Sequence, residues 1–179
     1  MTDLSVILAI PIVAVAAVTD VRSGVIPNRL TYPAVLLGLG MGLWPQLGPT
    51  FVSSAEGLAI AFLPALVLFA IGAIGGGDVK LLAAVGALVG YPSVLDVLFF
   101  SIVAGGALAL CTIVAKGRAL GVLREFWAFL TELVAVRGLP PMPAADLRIP
   151  FAAATLAGVV WTVAGPGFRV AAVLSTPGG

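Results

Sequence analysis

The sequence predicts an all-α, polytopic membrane protein of about six transmembrane helices, organised as one domain over residues 1–179. Three observations carry that prediction. The chain is 61% hydrophobic and only 9% charged, where a soluble domain carries about 25% charged residues. Its mean hydropathy is +1.20. Its apolar residues also gather into runs approaching the ~20 residues that a helix needs to cross a bilayer.

The first run, Leu4–Thr19, is slightly short and contains Pro11. Ala14-Val15-Ala16 has the small-x-small pattern of a processing site. However, Asp3 precedes the run and no Lys or Arg does, so it reads as an uncleaved first helix. The second run, Tyr32–Leu47, is rich in glycine, and the third, Gly57–Gly75, encloses Pro64. The fourth, Val79–Gly90, is too short to span comfortably. The fifth is Val94–Ala115 and the sixth Ile149–Ala164. Internal Pro and Gly are tolerated in membrane helices because neighbouring groups satisfy the freed backbone. The spacings Gly72/Gly76 and Gly86/Gly90 suit close helix contact.

Charge sets the orientation. With six helices, Arg22, Arg29, Lys80, Lys116, Arg118, Arg124, Arg137 and Arg148 fall on one side. Arg169 falls on the other, with Asp3, Glu56 and Asp96 at the outer ends. The basic side is then cytoplasmic and both termini face out. Leaving out the short fourth run would put the long basic loop opposite Arg22 and Arg29, so the asymmetry supports counting it. That loop, residues 116–148, contains GVLREFWAFLTELVAVRG. Its apolar residues recur at helical spacing with Arg124, Glu125 and Glu132 between them, which predicts an amphipathic interfacial helix over about 121–136.

Composition also narrows the chemistry. There is no His, which removes the commonest general base and metal ligand. The single cysteine, Cys111, can form no intrachain disulfide and no cysteine-based zinc site. Neither a metal nor any other cofactor is expected. A net charge of +1 gives no case for nucleic acid; the partner implied by composition is the lipid bilayer. What remains for chemistry is carboxylates, Lys/Arg and hydroxyls.

Two of the eight acids stand apart. Asp20 closes the first helix, and Asp78 follows the glycines Gly75, Gly76 and Gly77 that end the third. Both helices run inward, so both acids arrive at the cytoplasmic face. Two close carboxylates share one proton; one can then act as general base on a water while the other acts as general acid on a carbonyl oxygen. A plainer reading stands beside this one: the glycines end a helix, Asp78 caps the next, and Asp20 caps the following loop. One glycine suffices for a helix cap, so three in a row suggest the close approach of another backbone, such as an extended peptide. Lys80 reads first as a residue that snorkels to anionic lipid. A transporter using the same acids as a proton or cation relay is the alternative function, although a relay calls for acids near the bilayer midplane. A catalytically dead scaffold is a third.

The stretches TDVRSGVIPNRLT (Thr19–Thr31) and GGGDVKLLAAVGALVG (Gly75–Gly90) resemble the two signature regions of the type IV prepilin peptidases, membrane aspartic proteases of the GxGD kind. RIPFAAATLAG (Arg148–Gly158) is similar to their last helix. The resemblance implies an endopeptidase of the cytoplasmic (inner) membrane, multi-pass, that removes the short basic leader of prepilins or pseudopilins. It implies Asp20 and Asp78 as the catalytic pair, with Gly75, Gly76, Gly77, Lys80, Pro27 and Asn28 as motif or substrate-positioning residues. Larger members carry a four-cysteine zinc domain and also N-methylate the new pilin terminus. This chain lacks those cysteines and so resembles the short form of tight-adherence (Flp-type) pilus systems, and methyl transfer is not expected of it.

Overall fold

The computed structural model describes residues 4–44, 46–117, 120–122, 124, 127, 128, 131 and 151–164, and every regular element among them is helical. Six helices are delimited: α1 (Leu4–Ser23), α2 (Asn28–Met41), α3 (Phe51–Ala70), α4 (Gly76–Val89), α5 (Ser93–Ala115) and α6 (Phe151–Ala164). Leu120, Gly121, Val122, Arg124, Trp127, Ala128 and Thr131 are also helical. They belong to the stretch where an interfacial helix over about 121–136 is expected; its other residues lie outside the described ones.

The apolar runs locate the helices, and backbone chemistry sets their ends. The first helix runs to Ser23, past the expected Thr19, and stops where Gly24 turns to φ 65° and donates its N–H to the Asp20 carbonyl at 2.8 Å. α2 begins earlier than expected. Pro27, in extended conformation, places its carbonyl to accept from the N–H groups of Leu30 and Thr31. Thr50 caps α3 by accepting from the Ser53 N–H at 3.3 Å.

The largest correction concerns the triple glycine. It does not end the third helix. α3 stops at Ala70 because Gly72 adopts φ +79°, a left-handed conformation that strains any residue with a Cβ. Gly72 N–H then reaches the Phe69 carbonyl and Ala73 N–H the Leu68 carbonyl, at 2.9 and 2.8 Å. This pair of bonds is the αL-glycine cap of a helix C-terminus. Gly75–Gly77 are thereby left to open α4, with Gly75 as its N-cap.

α4 is the hub. Every residue from Leu81 to Gly90 is buried, so the helix is enclosed on all sides. Leu81, Ala84, Val85 and Leu88 join Ala9, Val13, Ala16 and Ala17 of α1 and Val159 of α6 in one core cluster. Val79 and Leu82 join Ala61 and Ala65 of α3 and Val94 of α5 in a second. The enclosure requires backbones to touch. A methyl on Gly86 would lie 2.8 Å from the Gly57 carbonyl carbon and 2.9 Å from the Ala61 Cβ, and one on Gly57 would lie 2.8 Å from the Gly90 Cα. The expected Gly86/Gly90 contact surface is therefore real. The Gly72/Gly76 pair is not one: Gly72 faces open space and Gly76 opens a different helix.

Two described helices, α3 and α5, are long and apolar enough to cross a membrane. Asp96, expected to be solvated at an outer helix end, is instead 1% exposed in the first turn of α5.

Close packing at Gly86 gives a direct test. Gly86→Ala should destabilise the fold by about 1–3 kcal/mol through overpacking. Gly106→Ala, where nothing lies within 4 Å, should be neutral or stabilising by up to about 1 kcal/mol. Thermal melts of the two variants in detergent check both.

Candidate active site

Asp20 lies in the last turn of α1 and Asp78 in the first turn of α4. The two helices pack against each other, which brings both carboxylates to one cavity of about 410 Å³. Gly24, Val25, Ile26, Asn28, Gly75, Gly76, Gly77 and Lys80 complete its lining. Of the residues singled out in the sequence, all but Pro27 line this cavity. Pro27 serves it indirectly, as the N-cap that starts α2 at Asn28.

Asp78 is partly enclosed and stands ahead of the fully buried apolar run of α4. Its Oδ2 accepts the Gly75 N–H at 3.2 Å. A carboxylate at the third helical position reaching back to the N-cap N–H is half of a capping box; Gly75 has no side chain to supply the other half. Helix capping and cavity lining thus coexist in one carboxylate.

Asp20 has a donor that the sequence reading missed. The Ala152 N–H, in the first turn of α6, points to Asp20 Oδ2 at 3.5 Å. The first N–H groups of a helix have no partner within it and favour an anion. The signal was present in RIPF, where a proline directly precedes an apolar helix, but nothing in the sequence told which anion would face it.

The glycines and Lys80 also acquire contacts. A methyl on Gly77 would lie 3.2 Å from the Ile26 Cβ, and Ile26 is buried. Glycine here lets the loop between α1 and α2 seat against the first turn of α4. At Gly75 a methyl would lie 3.2 Å from Asp78 Oδ2, so bare backbone borders the acid. Lys80, read from the sequence as facing lipid, has a protein partner. Its Nζ donates to Asn28 Oδ1 at 2.8 Å and sits 5.7 Å from the Tyr32 ring centroid.

The model of the type IV leader peptidase family matches residues 7–110, a stretch holding both acids and all the glycines between them. The chain belongs to that family. Among curated relatives, the chain resembles the prepilin peptidase EppA of Methanothermobacter thermautotrophicus, 37% identical over 101 residues, or 54% of this chain and 26% of the relative. It is 34% identical over 113 residues to a prepilin leader peptidase/N-methyltransferase of Burkholderia pseudomallei, covering 58% of this chain and 35% of the relative. The protein of the same name in Bacillus subtilis is 33% identical over 112 residues, covering 59% and 44%. The match thus spans less than half the length of these relatives. No solved structure matches the chain.

Proposed function

We propose that this protein is a membrane-embedded aspartic endopeptidase that cuts the leader from prepilins or pseudopilins at the cytoplasmic face of the membrane. The observation that carries the reading is the placement of Asp20 and Asp78 on one cavity in a member of the type IV leader peptidase family. The names of its relatives supply the substrate class.

The chemistry follows from two carboxylates sharing one proton. The ionised carboxylate takes a proton from a water as the water oxygen attacks the scissile carbonyl carbon. The protonated carboxyl gives its proton to the carbonyl oxygen, so a neutral gem-diol forms without a covalent enzyme intermediate. Proton return to the amide nitrogen then lets the C–N bond break, releasing a new carboxyl and a new amine. The proton belongs to the pair. An extended peptide needs room for its backbone beside the acids, and Gly75 and Gly76 leave that side of the cavity without bulky side chains.

The bilayer placement rests on the outer surface. Leu36, Val67, Ile102 and Val114 face outward from α2, α3 and α5 at 62–70% exposure, and a continuous apolar exterior suits lipid. α4, at 14 residues, rises only about 21 Å at 1.5 Å per residue. Enclosed by its neighbours, it has no need of a full lipid-spanning length. We read six spans, with the site end and its Lys and Arg residues inside and both termini outside. Methyl transfer, named for two of the relatives, stands outside the proposal because the match covers 35% and 44% of those chains.

The test is cleavage of a co-expressed prepilin by Asp20→Asn and Asp78→Asn. Each should lose processing by at least about 10³-fold, the scale on which loss of an acid–base group is felt. Near wild-type processing by either variant would overturn the pair, and proton-coupled flux in liposomes without cleavage would favour a transporter instead.

A further inference from the structure

Three contacts tie the loop between α1 and α2 to the rest of the site. Gly24 N–H bonds the Asp20 carbonyl at 2.8 Å, so the loop begins on the acid's own backbone. Ile26 seats against Gly77 of α4, where a methyl would already lie 3.2 Å from its Cβ. Lys80 of α4 bonds Asn28, 52 residues away in sequence, at 2.8 Å. Only the last is a polar bond between the segment that carries Asp20 and the helix that carries Asp78.

We propose that Lys80 is a positioning residue: acting through Asn28, it holds the α1–α2 loop to α4 and so sets how Asp20 meets Asp78. This rests on the peptidase reading above. The direction of the side chain supports it. Asn28 and Tyr32 are four residues apart, so they share a face of the first turns of α2. Lys80 donates to one and lies within cation–π reach of the other, at 5.7 Å. A lysine reserved for a substrate carboxylate would have its ammonium free towards the cavity. This one is committed to α2, and it stands two positions from Asp78 on the same helix. Ile26–Gly77 packing alone resists separation of the two segments but leaves sliding along the helix open, because apolar contact is non-directional. The directed bond to Asn28 removes that freedom. Geometry at a reacting centre is sensitive at this scale: a misplacement of ~1 Å can cost about 10²-fold in rate.

The experiment uses the full-length protein in detergent with a synthetic prepilin peptide. Lys80→Met, Asn28→Leu and their double variant are compared with wild type and with Asp78→Asn. Each single variant should lower kcat by about 10–100-fold with KM within twofold. The double should be no worse than the worse single, because both remove one bond. Lys80→Arg and Asn28→Asp, which keep a donor and an acceptor in place, should each recover most of the kcat. They carry the same test if Lys80→Met fails to fold. A raised KM at unchanged kcat would overturn the proposal in favour of direct substrate contact. Losses that multiply in the double, or failure of both conservative variants to recover kcat, would overturn it as well. Activity retained by Asp78→Asn would instead defeat the peptidase reading, independently of what Lys80 does.

Discussion

The contact between the backbones of Gly57 and Gly86 governs this molecule. It lets α3 approach α4 with no side chain between them, where even a methyl would meet backbone within 3 Å. Close approach makes α4 an interior helix, buried along its whole length from Leu81 onward. Without a hydrophobic drive between helices in lipid, such association depends on contact area and dispersion, and glycine at the crossing maximises both. The site inherits its rigidity from this arrangement. Gly77, Asp78 and Lys80 occupy the first turns of the most constrained helix in the protein.

The site gathers two carboxylates on one cavity, and the Gly75 N–H reaches the Asp78 carboxylate at 3.2 Å. Each acid also faces the N-terminal end of a helix, α4 for Asp78 and α6 for Asp20. Those ends carry partial positive charge, which offsets part of the cost of holding two carboxylates beside so much apolar surface. In a protein without a single histidine, the fold sets these two carboxylates together.

Much of this was legible in the residues. The two acids, the triple glycine, Asn28 and Lys80 all stand on one cavity, and spacing plus charge asymmetry had already put both acids at one end. The parts that were not legible share a cause: each depends on a tertiary neighbour. The triple glycine was read as a helix end because nothing local announces that Gly72 takes the left-handed turn first. Lys80 was assigned to lipid because its acceptor sits 52 residues upstream. Asp96 looked solvated because its position at a helix end carries no information about what covers it. The donor to Asp20 was legible only as a helix start in RIPF; which acid would face it depends on a neighbour 132 residues away.

That last bond has a meaning for how the protein comes into being. The Asp20 carboxylate belongs to α1, and its N–H partner at Ala152 comes 132 residues later. At ~5–20 residues per second of synthesis, the acid spends several seconds or more in a growing chain that has not yet produced the helix that meets it. Only in the later part of that interval, once residue 78 has been made, are both acids present. The arrangement around the pair then closes when α6 arrives with its N–H donor.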